Sequence, residues 1–181
     1  MTGVETDIDN DIVAITQLMN LYGLAVDSQR WQLFDSIFTN DVEADYGASS
    51  RWTELEQFKS DFAAYHDPFD STQHIMSTHV VRVDGDHAHS FCNGGWRLVR
   101  KSADGSPLWD GTGWYDDAWL RTPAGWRITH RTCRITWWTG NPSVNETIPG
   151  VKFEVATTAL RREAAAGRVG VLAWSRAATD G

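Results

Sequence analysis

The sequence has 181 residues and a formal net charge of −8, which is enough chain for one domain with a single core but too little for two ordinary domains. An acidic chain without a basic stripe cannot displace counterions from phosphates, so we expect neither nucleic acid nor an anionic membrane as a partner. Because the first residues lack the basic and apolar regions of a secretory signal, and no apolar run reaches the ~20 residues that span a bilayer, we expect a cytoplasmic protein that acts on small molecules.

Apolar spacing predicts three helices in the first third of the chain. From Ile8 to Val26 the apolar residues recur at steps of three and four, which places them on one face of an amphipathic helix. The same spacing in residues 31–38 predicts a second, short helix, and residues 41–46 indicate a brief strand. Thr53 and Glu56 form a capping-box pattern, so we expect a third helix to begin there.

The pattern then changes to strands separated by short turn sequences such as Asp84-Gly85. The predicted strands are His74–Val83, His87–Lys101, Leu108–Arg121 and Gly125–Trp138. Such a succession is an antiparallel meander. Helices followed by a sheet indicate an α+β domain, here a cone-shaped barrel whose helices pack on a curved sheet and whose open end is a pocket.

The composition changes after Gly140 and becomes rich in alanine and arginine, and residues 156–166 are compatible with one more helix. We interpret residues 1–140 as the cone domain and residues 141–181 as a partly helical tail that docks on the domain or on a neighbouring subunit. The outer face of the sheet is apolar and aromatic, and a curved sheet must cover both faces, so we expect a homo-oligomer.

Four of the six histidines lie between Asp70 and His89. His74 and His79 are five residues apart, so on a regular strand only one of them can face the pocket. The residues between them are mixed in polarity on both faces. Alternation therefore does not choose between the two histidines.

A metal site is a weaker interpretation of the other two histidines in this stretch. His87 and His89 share a face, but the Asp-Gly sequence before them is what a tight hairpin turn requires, and no third ligand has suitable spacing. Cys92 and Cys133 lack CxxC spacing and lie in predicted strands, so we expect reduced, buried thiols. The sequence predicts no metal.

Three segments, LYGLAVDSQRWQLFDSIFTNDVEADY, STQHIMSTH and GWRITHR, resemble the SnoaL-like branch of the nuclear transport factor 2-like (NTF2-like) fold. They are similar to scytalone dehydratase, bile acid 7α-dehydratase and hexachlorocyclohexane dehydrochlorinase. The resemblance extends from about Ile8 to Trp138. It implies a catalytic dyad of Asp27 and His74, with His74 facing the pocket and His79 the other side, no cofactor, and a trimeric or dimeric assembly.

Two tyrosines also fit the resemblance to these enzymes. Tyr22 corresponds to a tyrosine of the bile acid enzyme, and Tyr46 to one of two with which scytalone dehydratase holds a water. Two positions depart from the pattern, since Val26 replaces the other tyrosine and the second catalytic histidine of scytalone dehydratase falls near Val99. The scytalone reaction itself is therefore not implied.

A histidine with an unperturbed pKa of ~6.5 is a useful base near neutral pH, and a carboxylate on one ring nitrogen orients the other toward a substrate. One base plus a neutral tyrosine donor suits a β-elimination, most simply loss of water, without a cofactor. The abundant tryptophans indicate a flat or ringed apolar substrate. We expect Trp96 and Trp114 to contact it, together with a late-strand arginine that the resemblance assigns to Arg131 or Arg134.

Other interpretations remain open at this stage. An isomerase or polyketide cyclase would use the same base without expelling a group, and a non-catalytic cone-fold protein would bind a ligand or serve structure, as the β-subunit of a ring-hydroxylating dioxygenase does. Asp27 also suits a helix cap, and Tyr22 lies on the apolar stripe of the first helix. Contact between Asp27 and His74 inside an open pocket separates the enzyme classes from the others.

Overall fold

The computed structural model describes residues 8–47, 50–152 and 155–173. The first two helices cover one face of a six-stranded sheet. The helices are α1 (Ile8–Asp27), α2 (Leu55–His66), α3 (Leu160–Ala165) and α4 (Gly170–Ala173), with 3₁₀ helices at Trp31–Ser36 and Pro142–Asn145. The strands are β1 (Phe38–Asp45), β2 (Arg51–Trp52), β3 (Ser71–Asp84), β4 (His87–Val99), β5 (Leu108–Thr122) and β6 (Gly125–Gly140). Within the described residues, no helix is long and apolar enough to cross a membrane.

The sheet has the strand order β2-β1-β6-β5-β4-β3. Strands β3 to β6 form the predicted antiparallel meander, whereas β1 joins β6 in parallel. The α+β prediction is confirmed. The parallel pairing joins strands from opposite ends of the domain, which periodicity within either strand cannot reveal.

The first helix begins and ends within one residue of its predicted bounds, and α2 begins close to its predicted start, but the capping box there is wrong. Glu54, not Thr53, occupies the N-cap position, with extended φ and ψ of −138° and 131°. Its side chain makes no capping hydrogen bond. The buried residues Leu55, Phe58 and Phe62 hold the helix instead, through their packing on the core.

A bulge in β3 changes which face its histidines occupy. Between Ser77 and Val80 the strand has two residues where β4 has one, and Thr78 there has a φ of 54°. Side chains alternate afresh beyond such a bulge. His79 therefore returns to the half-buried face that also carries His74, and the expectation that the two lie on opposite faces is wrong.

The segment after β6 packs against both faces of the sheet of its own chain. On the inner face, Val144 belongs to the main core. On the outer face, Val169 and Val171 pack with Phe91 and Trp114 in a second apolar cluster. The tail thus covers part of the outer face that the sequence shows as apolar, while docking on a neighbouring subunit and a homo-oligomeric state stay predictions.

Candidate active site

The structure brings Asp27 and His74 together where the end of α1 meets β3. Asp27 Oδ1 accepts hydrogen bonds from His74 Nδ1 at 2.7 Å and from the Thr72 hydroxyl at 2.8 Å. Its Oδ2 accepts the backbone N–H of His74, also at 2.7 Å. Gly23 allows this close approach, because a Cβ there would lie 3.3 Å from the carbonyl oxygen of His74.

These three hydrogen bonds keep Asp27 ionised. Burial alone would raise the pKa of the carboxyl, but the hydrogen bonds from His74 and Thr72 outweigh it and hold the pKa below its ordinary value. A carboxylate can only accept, so Nδ1 of His74 carries a proton and Nε2 carries the free lone pair. The His74 side chain is 6% exposed and lines a cavity.

The cavity has a volume of about 410 Å³ and opens between the helices, the sheet and the segment after β6. Aromatic side chains form a large part of its walls. The aromatic residues that line it are Tyr22, Tyr46, Trp52, Phe62, Tyr65, Trp96, Trp109 and Tyr115. Ligand pockets of this size commonly combine apolar walls with a few placed polar groups, so the cavity suits a ringed apolar molecule.

Glycines in the sheet make room for the indole rings. A Cβ at Gly111 would lie 2.3 Å from the ring of Trp109, and one at Gly94 would lie 2.8 Å from the ring of Trp96. Each indole therefore occupies space on the inner face that a side chain at the glycine would fill. The Trp96 ring nitrogen donates to the Tyr115 hydroxyl at 2.8 Å, so its orientation is fixed as well. Trp96 lines the cavity as expected from the sequence.

Two tyrosine hydroxyls form the candidate proton donor. The hydroxyls of Tyr22 and Tyr46 are 2.9 Å apart, and both residues line the cavity. Burial raises the pKa of Tyr22 to about 12 and that of Tyr46 well above its ordinary value. Both are thus neutral near pH 7. When one hydroxyl donates to the other, the second keeps a proton that it can offer to a substrate.

Arg131 does not contact the cavity, contrary to expectation. It is completely buried, and its Nε and Nη2 donate to the two carboxylate oxygens of Asp117 at 2.7 Å each. Its guanidinium carbon lies 4.2 Å from the ring centre of Tyr22 and 4.7 Å from that of Tyr115. Arg131 therefore supports the tyrosine rings from beneath. Arg134 points elsewhere, to Asp45 at 2.9 Å.

Trp114 is the second expected substrate contact that lies elsewhere. Its ring packs with Phe91 and Val171 on the outer face of the sheet. The reason is the alternation of side chains along β5. Trp109 and Tyr115 have odd numbers and face the inner side of the sheet, so the even-numbered Trp114 faces the outer side. The sequence showed that neighbouring residues alternate but not which set faces inward.

His66 is a cavity residue that the sequence did not single out. It is 3% exposed, lines the cavity and donates from Nδ1 to the carbonyl oxygen of Phe62 at 2.7 Å. Burial lowers the pKa of His66 to about 4, so the ring is neutral near pH 7 and Nε2 can only accept. His66 follows Phe62 by four residues on α2, but only packing turned this side of the helix toward the cavity.

The segment interpreted as a tail also supplies cavity wall. The residues of this segment that line the cavity are Asn145, Thr147, Ile148, Val151 and Lys152. The Tyr65 hydroxyl donates to Asn145 Oδ1 at 2.6 Å, across 80 residues of sequence. No local sequence signal points to such a contact, because its partners belong to elements far apart in the chain.

The remaining candidates do not assemble into a metal centre. His87 is exposed and His89 half-buried, and both point away from the cavity on β4. Cys92 and Cys133 are free, buried thiols. Among the described residues, no group of three or more His, Cys, Asp or Glu side chains could hold a metal ion.

Comparison with known proteins gives a consistent family. Residues 10–132 match the profile of the SnoaL-like domain. An uncharacterized protein of Mycobacterium tuberculosis is 34% identical over 126 residues, which are 67% of this chain and 83% of that protein. Similar structures include a protein of Novosphingobium aromaticivorans provisionally assigned as a scytalone dehydratase, with a TM-score of 0.64, 19% identity and coverage of 80% of this chain and 88% of that one.

A hexachlorocyclohexane dehydrochlorinase, LinA type 2, is also similar in structure. Its TM-score is 0.63, with 17% identity and coverage of 77% of this chain and 94% of that one. Identities this low show a shared fold and nothing finer. The profile match covers more than half of the chain, and the N-terminal helices and the mixed six-stranded sheet agree with it. The chain belongs to the SnoaL-like family and has the NTF2-like α+β fold.

Proposed function

We propose that the protein is a cofactor-independent lyase, a dehydratase that removes water from a hydrophobic cyclic molecule of polyketide, steroid or aromatic type. The observation that carries this proposal is the Asp27–His74 hydrogen bond of 2.7 Å at the wall of an aromatic cavity. The orienting carboxylate, the free Nε2 and the space for a substrate occur together.

In this mechanism His74 Nε2 takes a proton from a carbon next to the one that carries the leaving hydroxyl. The electron pair of the C–H bond forms the new double bond, and the C–O bond breaks. Asp27 stabilises the imidazolium that forms, because its carboxylate already accepts the Nδ1 proton. The departing oxygen takes a proton from the tyrosine pair or from His74 and leaves as water.

The tyrosine pair supports elimination as the chemical step. A neutral hydroxyl with a pKa of about 12, as in Tyr22, is still a stronger acid than the water that forms from a leaving hydroxide. Tyr46 shares the hydrogen bond and lies at the same wall. The names of the two similar structures, a dehydratase and a dehydrochlorinase, also denote eliminations.

The first test is a screen of hydroxylated bicyclic and tetracyclic ketones for loss of one water by mass spectrometry and for the ultraviolet absorption of the new double bond. We expect His74→Ala to lower kcat/KM about 10²- to 10⁴-fold, the usual contribution of a general base. His79→Ala is the matched control, since His79 lies on the same strand and face but does not line the cavity.

Two outcomes contradict the proposal. Equal activity of the wild type and His74→Ala would remove His74 from the chemistry. Exchange of a substrate proton with deuterated water, without loss of water from any compound, would replace the lyase with an isomerase or cyclase that uses the same base.

A further inference from the structure

Three polar atoms that belong to residues of the cavity wall are buried and have no hydrogen-bond partner within the described part of the chain. They are Nε1 of Trp109, Nδ2 of Asn145 and Oγ1 of Thr147. Trp109 is 2% exposed and Asn145 is 3% exposed. Buried polar groups in folded proteins are almost always paired, because an unpaired one loses its hydration without compensation. Three such groups on one cavity indicate a ligand that pairs with them.

The neighbouring contacts fix these groups in place. Asn145 ends the 3₁₀ helix that follows β6, and its Oδ1 is occupied by the Tyr65 hydroxyl at 2.6 Å, which leaves Nδ2 for a ligand. The backbone N–H of Thr147 donates to the carbonyl oxygen of Asn145 at 2.9 Å, so the two residues share one tight turn. The Trp109 ring stacks on Trp138, with ring centres 6.3 Å apart. A site with locked side chains is preorganised for binding.

The chemistry of the three groups selects the ligand. An indole N–H and an amide NH₂ can only donate, and a hydroxyl can do so as well. Lys152, the lysine that lines the cavity, is paired with Glu146 at 3.1 Å, so the site is not built for a negative charge. A neutral acceptor oxygen fits best.

We propose that Trp109, Asn145 and Thr147 form a subsite for a carbonyl oxygen of the substrate. The substrate class is then a cyclic molecule that carries a ketone, or another neutral carbonyl, besides its hydroxyl. This inference rests on the proposed function, since it assigns a further group to the same substrate. It concerns binding, however, and can be tested without turnover.

The test measures binding of 1-tetralone and of tetralin, the hydrocarbon without the carbonyl, by protein-observed NMR. We expect the ketone to bind about five- to tenfold more tightly, as one or two neutral hydrogen bonds imply. It should also move the indole N–H signal of Trp109, identified by its loss in Trp109→Phe, to lower field. Thr147→Val and Asn145→Leu should each reduce the preference for the ketone.

Thr147→Val removes a hydroxyl without a described partner and keeps the side-chain volume, so its melting temperature should stay equal or rise. Trp109→Phe also loses part of a buried ring, so it should fold but melt at a somewhat lower temperature. They keep the test valid if Asn145→Leu, which also loses the bond to Tyr65, fails to fold. Equal affinity for the two probes, no binding of the ketone, or an unchanged preference in both of these variants would overturn the inference. His74→Ala should retain the ketone preference.

The two proposals fail separately. A ketone preference that depends on the three residues, in a protein without elimination activity, contradicts the lyase proposal alone. Activity that depends on His74, in a protein indifferent to the carbonyl, contradicts the subsite alone.

Discussion

Two carboxylates on the helix-covered side of the sheet each pair with a nitrogen-containing side chain, one pair at the cavity wall and the other completely buried. Asp27 binds His74 at the cavity wall, where their side chains are 25% and 6% exposed. Asp117 binds Arg131 beneath the tyrosines, where both side chains are 0% exposed. The carboxylate-to-nitrogen distances are 2.7 Å in both pairs. The difference lies in what each pair leaves free.

His74 uses one ring nitrogen for Asp27 and keeps the other for the cavity. Arg131 uses two nitrogens for Asp117, and its third, Nη1, has no hydrogen-bond partner among the described residues. The guanidinium instead stacks on the rings of Tyr22 and Tyr115. A guanidinium does not lose its proton in proteins, so this pair cannot act as a base. Similar pairs thus suit different roles, proton transfer at the cavity wall and structural support beneath it.

The largest expected effect comes from Asp27→Asn. The amide cannot stabilise an imidazolium, so we expect kcat/KM to fall about 10²- to 10⁴-fold. Thr72→Val is the matched control, because it removes one hydrogen bond to the carboxylate but leaves the pair with His74 intact. Stability in both variants should fall by about 1–2 kcal/mol. Similar activities for the two variants would show that the dyad does not carry the reaction.

Arg131→Met should have the next largest effect, and on stability. It leaves the fully buried Asp117 unpaired, which we expect to cost about 3–5 kcal/mol in urea denaturation. Arg134→Met loses a partly exposed pair with Asp45, 22% and 21% exposed, and should cost no more than about 1 kcal/mol. Adding Asp117→Leu to Arg131→Met should recover most of the loss. Equal costs for the two arginines would contradict the contrast between buried and exposed pairs.

A smaller effect concerns how the free energy of unfolding depends on pH, and it amounts to about 3 kcal/mol. The unfolded chain protonates His66 below its ordinary pKa of 6.5, whereas burial lowers the folded pKa to about 4. The stability that neutral His66 provides is therefore complete above about pH 6.5 and is lost as the pH falls toward 4. Denaturation midpoints measured across this range should decline more steeply for the wild type than for His66→Asn.

His66→Asn keeps a donor for the Phe62 carbonyl oxygen but does not titrate. Asp116 acts in the opposite sense, because burial raises its pKa to about 6 and its stabilising effect declines as the pH rises toward that value. Asp116 is present in both proteins, so its contribution cancels in the difference. Parallel pH profiles for the two proteins would mean that His66 titrates normally in the folded state.

Local patterns predicted much of the fold. The steps of three and four placed α1 correctly, and alternation with Asp-Gly turns placed the four long strands within a few residues of their observed ends. Asp27 and His74 were candidates because of the family resemblance. They are 47 residues apart, and local patterns do not pair residues at that separation. Their contact depends on how α1 packs on β3.

The sequence by itself determined the helices, the meander and the types of residue available for catalysis, because those follow from contacts between near neighbours. Only the tertiary structure decided which face is inner, so it alone separated Arg131 from Arg134 and placed Trp114 outside. It also placed His79 on the same face as His74, because of the bulge in β3, and brought Asn145 to the cavity. Each of these outcomes depends on packing between distant segments, which periodicity within one segment does not encode.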